Sequence, residues 1–226
     1  MEVAGPTLSL RYATPADADA LFALASDPEV TRFFSWGPYR DRAEPLAYID
    51  RLTGQRAAGE QLDLLIVHHQ DGPIGVTGLS ELSRRDRRAV VGTWLGRRWW
   101  GSGANRESKA LVARLAFERL GLDRIGAYAD VENGRSQTAL ERVGFTREGV
   151  LRGWHRHGDV VHDVVLFGLL RREFGASPLA AYPAQVRGEP PEAFVVGPVA
   201  QAYGGAAGGG ETGAGATPSS SGVIGG

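Results

Sequence analysis

The sequence predicts a mixed α/β (α+β) domain built on a mostly antiparallel central sheet flanked by helices, on three observations. Strand-like and helix-like segments alternate from residue 7 to residue 174. Two pairs of strand-like segments are joined by turn sequences, Gln70-Asp71-Gly72-Pro73 and Arg156-His157-Gly158-Asp159, which make antiparallel hairpins. One long helical segment links two strands as a crossover, so a single parallel pair is expected and a doubly wound sheet is excluded.

The elements follow in order. Residues 8–12 form a strand. Thr14 as N-cap, Pro15 in the first turn and Asp17 at the third position then open a helix carrying Leu21, Leu24 and Ala25. A second helix covers about 43–56 and closes at Gly59. Strands 64–68 and 74–79 flank the first hairpin turn, and strand 89–95 follows a polar loop, 83–88. The crossover helix runs over 104–120 and stops at Gly121, a suitable C′ residue. After it come a strand at 124–129, a short helix at 136–142 ended by Gly144, and two last strands at 149–155 and 160–169.

Composition bounds the function. The chain has 226 residues, 42% hydrophobic and 23% charged, which is ordinary globular usage. A net charge of -1 removes the global electrostatic case for nucleic acid or an anionic membrane. The absence of cysteine excludes a disulfide framework, a thiolate nucleophile and a Cys-ligated metal site. No apolar run approaches the roughly 20 residues of a membrane span. The first six residues lack a basic segment followed by an apolar one, so a soluble, cytoplasmic protein is expected. Residues 1–6 read as a lead, 7–174 as the folded unit, and 175–203 as a Pro/Ala-rich extension whose Phe194, Val195, Val196 and Tyr203 can pack as a strap. Residues 204–226, with ten glycines in 23 residues, read as a flexible tail.

The chemistry concentrates in two places. At 89–107 a strand runs into Arg98-Trp99-Trp100-Gly101-Ser102-Gly103, and a helix starts at Ala104 and Asn105. Glycines let the backbone approach a ligand closely, and free N–H groups at a helix N-terminus bind anions, so this loop suits a phosphate or pyrophosphate. It lacks the Gly-Lys-Ser/Thr of a Walker A loop and the third glycine of a dinucleotide fingerprint. Further on, Asn133 stands where it can cap the helix containing Ser136, whose hydroxyl is free to point outward.

Together, R-x-x-G-x-G before one helix and N-x-x-S with Gly144-Phe145 after the next strand resemble the GNAT superfamily of N-acetyltransferases. Residues 100–107, then Glu148-Gly149-Val150-Leu151-Arg152 followed by His162-Asp163, are similar to its Rim-type branch, whose members acetylate ribosomal-protein N-termini and many small amines. The resemblance implies a V-shaped splay in the sheet and acetyl-CoA as co-substrate, with an amine acceptor that is a small molecule or a protein N-terminus. It implies that the amides of Arg98, Trp99, Trp100, Gly101, Ser102, Gly103, Ala104 and Asn105 cradle the pyrophosphate. It further implies that the Trp94–Leu95 backbone pairs with pantetheine, that Asn133 bonds the cofactor arm, and that Ser136 protonates the departing thiolate. Direct attack by the amine needs no metal, no membrane and no covalent intermediate. Monomer and homodimer both remain open.

One departure matters. The branch carries Glu and Tyr along the strand before the loop, where Val90 and Thr93 stand here. Glu81 is the best substitute base, acting through water. A base is dispensable for an α-amine with a pKa of about 8, unlike a lysine side chain near about 10.4. The missing pair also supports a second reading, a non-catalytic acyl-CoA-binding module; a third keeps the fold with another acyl-CoA donor. Phe33-Phe34-Ser35-Trp36 is either the acceptor wall, with Phe33 and Trp36 as its contacts, or ordinary core. His155, His157 and His162 have no metal-ligand spacing and read as solvated hairpin histidines. One of His68 and His69 is a candidate for the acceptor side. The run 84–88, Arg-Arg-Asp-Arg-Arg, reads as a solvated loop rather than a grip on an acidic partner or RNA.

Overall fold

A computed structural model describes residues 1–197; the segment 204–226 and Tyr203 lie outside the described residues. Strands β1 (Glu2–Ala4) and β2 (Leu8–Arg11) form a first antiparallel pair. Asp17 then accepts from the Thr14 N–H at 2.8 Å, and the tight turn Pro15–Asp17 leads into α1 (Ala18–Ala25). A short α2 (Pro28–Thr31) is capped by Asp27, which accepts from Glu29 N–H. Helix α3 (Ala43–Ala58) ends at Gly59. Strands β3 (Gln61–His68), β4 (Gly72–Ser83) and β5 (Arg88–Leu95) make an antiparallel meander. Helix α4 (Ala104–Arg114) continues through a wider π-helical turn, Leu115–Arg119, and the chain leaves it at Gly121. Strand β6 (Arg124–Asp130), helix α5 (Gly134–Arg142) and the hairpin of β7 (Thr146–His157) and β8 (Val160–Leu170) follow. A single-turn α6 (Arg171–Phe174), a short β9 (Gln185–Arg187) and tight turns at Pro178–Ala181 and Glu192–Phe194 make up the rest of the described chain.

The strands lie in one sheet in the order β7-β8-β6-β5-β4-β3-β2-β1-β9. Every described neighbour pair is antiparallel except β5–β6, which is the single crossover anticipated from the sequence. Successive residues of β3 divide the interior between the two faces, as a strand's two-residue period requires. Leu64 and Ile66 join the larger core with α4, while Leu65 packs with Leu21 of α1 and Ile49 of α3 on the other face.

Two edges differ from expectation. Residues 2–4, assigned above to a lead, and residues 185–187, assigned to the extension, pair with each other, with Val3 opposite Val186. Val3 is fully buried. Three-residue strands have no periodicity to read, and their partner here is the far end of the chain. The extension then packs over the larger core through buried Leu179 and Phe194. Arg84 of the basic run 84–88 secures it by donating to the carbonyls of Glu192, Ala193 and Val195, while Arg87 donates to the Gly121 carbonyl beyond α4. Arg85 and Arg88 pair with Asp86.

The site originates in one irregularity of the sheet. The parallel strands β5 and β6 pair only where Arg88–Val90 face Arg124–Gly126. Beyond that point each follows its other neighbour, β4 or β8, and the two diverge.

Candidate active site

Between the diverging ends of β5 and β6 opens a cleft of ≈ 770 Å³. The 95–103 loop and the start of α4 close one end. The segment 33–36 and the β7–β8 hairpin flank the other, and α5 lies alongside.

At the first end, Gly101 (φ 78°) and Gly103 (φ 96°) hold left-handed backbone that side-chain-bearing residues avoid. A Cβ at either would meet no atom within 4 Å, so both border open space. The amides of Gly101, Gly103 and Asn105 have no hydrogen-bond acceptor among the described residues. Three free N–H groups at and just before the start of an 11-residue helix suit an anion through both hydrogen bonds and the helix dipole. Trp99 and Trp100 also line the cleft. Arg98, Ser102 and Ala104 do not. Arg98 is drawn to Asp71 at 2.8 Å, and the Ser102 hydroxyl donates to the Trp99 carbonyl while accepting from Ala104 N–H.

Along the β5 wall the structure corrects one expectation. The Gly96 N–H donates to the Ile74 carbonyl at 2.9 Å, and the Gly92 carbonyl accepts from the Thr77 hydroxyl on β4. In the alternation of an antiparallel ladder, Trp94 therefore also turns its backbone groups to β4, where it pairs with Val76, and Thr93 and Leu95 turn theirs to the cleft. Trp94 offers the cleft its indole instead. The Leu95 carbonyl is already taken by Trp100 Nε1 at 2.9 Å, which leaves Thr93 and the Leu95 N–H as the free edge. The Thr93 hydroxyl pairs with that of Thr77 at 2.7 Å, and Val90 is buried.

On the α5 side, Asn133 caps the helix by accepting from Ser136 N–H at 3.1 Å. Its carboxamide nitrogen and the Ser136 hydroxyl make no hydrogen bond among the described residues, and both residues line the cleft. Arg135, a site residue that sequence reasoning did not single out, lays its guanidinium over Trp100, 3.2 Å from the ring centroid. It thereby roofs the gap between the glycine loop and α5.

The other end is aromatic. Phe33, Phe34 and Trp36 line the cleft rather than the core; Trp36 stacks on Phe34 at 5.4 Å and meets Trp94 edge-on at 5.7 Å. Glu81 sits in a bulge at the end of β4 and does not line the cleft. It accepts from the hydroxyl of Tyr128, which does, at 3.1 Å. Burial and the Glu81 carboxylate push the Tyr128 phenol up to about 12. His155 and His157 line the cleft as well, while His68 instead packs on Trp99. Among the described residues no group of three or more His, Asp and Glu side chains is arranged to hold a metal ion, and no helix is long and apolar enough to cross a membrane.

Comparison with known proteins agrees with this geometry. Residues 7–146 match the family described as acetyltransferase (GNAT) domain. The N-acetyltransferase p20 of Bacillus licheniformis, itself uncharacterised, is 33% identical over 168 residues, covering 74% of this chain and 94% of its own. The structure of Mycobacterium smegmatis RimJ in complex with CoA-disulfide superimposes with a TM-score of 0.71 at 21% identity, covering 80% of this chain and 92% of that one. Microcin C7 self-immunity acetyltransferase MccE, in complex with acetyl-CoA and AMP, gives a TM-score of 0.67 at 20% identity over 73% and 92% of the two chains. At such identities these two structures speak to the fold.

Proposed function

The chain belongs to the GNAT acetyltransferase family and is an N-acetyltransferase, and from that premise we propose that it moves the acetyl group of acetyl-CoA directly to a primary amine carried on an apolar body, either a protein N-terminus or a small molecule. The observation that carries this reading is the meeting, in one cleft, of the amides of Gly101, Gly103 and Asn105 with the hydroxyl of Ser136, none of them hydrogen-bonded among the described residues.

The fit to acetyl-CoA rests on that cradle, which a Cβ at either glycine would fill. The amides and Lys109 in the cleft floor hold the pyrophosphate, and Arg135 with Trp100 covers it. Thr93 and the Leu95 N–H offer the pantetheine arm an open strand edge, and the Asn133 carboxamide nitrogen adds a donor beside it. When bound, acetyl-CoA supplies an activated acyl group and a thiolate leaving group. Ser136 gives its proton to that sulfur. Phe33, Phe34, Trp36 and Trp94 press on the body of the acceptor and exclude water from the reacting end. Glu81 acts on the acceptor only through Tyr128, which it orients.

The experiment is a free-thiol release assay with acetyl-CoA and three acceptor classes: short peptides with free N-termini, aliphatic monoamines and aromatic monoamines. Acetylated product by mass is expected with the apolar members of at least one class. A protein that binds CoA yet releases no thiol above background hydrolysis with any class would sink the transfer reading.

A further inference from the structure

The hairpin histidines are not merely solvated. The His162 Nδ1 lies 2.9 Å from Asp130 Oδ2 across β8 and β6. The Asp130 side chain is only 6% exposed, and its other oxygen accepts from Glu132 N–H at 2.8 Å. The His157 ring lies against His162 with centroids 4.4 Å apart, and His155 follows 6.2 Å beyond His157, edge-on to Tyr128. His155 and His157 face into the cleft that holds Ser136, and His162 stands behind them. A buried carboxylate, the imidazole hydrogen-bonded to it and a cleft imidazole packed on that ring thus stand in line.

Most other titratable groups on the cleft wall are unsuited to take a proton at neutral pH. The arginines and Lys109 are basic groups, the Tyr128 phenol is pushed up to about 12, and the Asp130 carboxylate lies at 2.9 Å from His162 Nδ1. The cleft-lining stretch of β5, from Val91 to Leu95, contributes no titratable group at all.

We propose that His157 takes the proton from the acceptor amine, with His162 and Asp130 as positioning residues: His162 packs against its ring and the Asp130 carboxylate offsets the charge it gains. The proposal rests on the acetyl-transfer reading above and deepens it. The acceptor nitrogen forms its bond to the acetyl carbon and loses one proton to His157. The C–S bond breaks with its electron pair on sulfur, which takes the Ser136 proton; water then reprotonates Ser136 and relieves His157. The groups bearing on His157 are its neighbour His155 on β7, His162 on β8 and Asp130 on β6. Burial, seconded by the two imidazoles, lowers its pKa, which keeps it in the proton-accepting form at neutral pH, while Asp130 opposes the shift.

The test combines histidine NMR with pH–rate profiles on the best acceptor from the assay above. In the wild type, kcat should fall on the acid side with the pKa that 13C-labelled His157 shows in the CoA complex. His157→Gln should lose that limb and about a hundredfold in kcat, with CoA affinity and Tm near wild type. Asp130→Asn should keep the limb but move it to lower pH, since a charge that raises the histidine pKa is gone. The acceptor's own ionisation is common to all variants and drops out of the comparison. A His157→Gln enzyme that retains both limb and rate to within about twofold overturns the proposal while leaving acetyl transfer intact. So does a wild-type limb displaced by more than about one unit from the His157 titration, whether or not the variant folds. A wild type that acetylates no acceptor overturns the transfer reading and the role of His157 with it.

Discussion

Lys109 donates from Nζ to Asn105 Oδ1 at 3.0 Å in the floor of the cleft, and among the described residues no carboxylate pairs with it. It is the one lysine among 25 basic residues and is only 7% exposed. Burial alone lowers its pKa from 10.5 to about 8. A buried cation with one neutral partner costs stability in the free protein and suits an anionic ligand above it.

The first prediction follows from that pair. Between pH 8 and pH 10.5 the unfolded chain holds the Lys109 proton more tightly than the folded one, so this group makes stability rise with pH across that window. At about 1.4 kcal/mol per unit, the rise amounts to a few kcal/mol. Lys109→Met should therefore melt higher than wild type at pH 7, with the gap closing toward pH 10. CoA binding at pH 8.5 should take up a proton in wild type only, visible as a buffer-dependent heat in calorimetry. A Tm difference that does not change with pH refutes the assignment.

The second concerns the anion cradle. Gly101→Val and Gly103→Val each force a side chain onto left-handed backbone and into the open space where the pyrophosphate would lie. Each should weaken CoA at least about tenfold by calorimetry, roughly the 1.4 kcal/mol of one lost contact. Gly54→Ala, in the middle of α3 with nothing within 4 Å of the added methyl, should leave CoA binding unchanged and stabilise by up to about 1 kcal/mol.

Glu107 shows what else the α4 motif does. Though it follows the cradle in sequence, it is 4% exposed and turns away from the cleft, accepting from the Thr7 and Leu8 amides at 2.8 Å and the Thr7 hydroxyl at 2.6 Å. Glu107→Ala leaves the buried Leu8 amide without a partner, at roughly 1–3 kcal/mol, and adds a smaller loss at the part-buried Thr7 amide and hydroxyl. Urea unfolding should give a loss of about 3 kcal/mol, with CoA affinity of the remaining folded protein nearly unchanged.

These residues mark what was legible in the sequence. Glycines beside a helix start and Asn133 three residues before Ser136 are local patterns, and local patterns survive into structure. The Asp130–His162 pair joins residues 32 apart on non-consecutive strands, so no spacing rule reaches it, and the histidines looked like surface. Which backbone edge of Trp94 and Leu95 faces the cleft depends on the β4–β5 register, fixed by long-range pairing rather than composition. The aromatic run 33–36 could not be placed as wall or core without knowing that β5 and β6 diverge.

The last prediction concerns Ser136. Its backbone N–H, not its hydroxyl, makes the cap bond to Asn133, so Ser136→Ala keeps α5 intact. The cradle at Gly101 and Gly103 is untouched, and CoA affinity should fall only slightly. If the hydroxyl protonates the leaving sulfur, kcat should drop within the 10²–10⁴-fold that a positioned acid supplies. The low end is expected, about a hundredfold, for two reasons. A CoA thiol with a pKa near about 8.5, by analogy with cysteine, leaves tolerably as the thiolate. Water can also enter the small space the hydroxyl vacates, since Ser136 is only half-buried beside an open cleft. A variant with full kcat would remove Ser136 from proton transfer and leave Asn133-x-x-Ser136 as a helix cap. A loss confined to KM would instead assign the hydroxyl to binding.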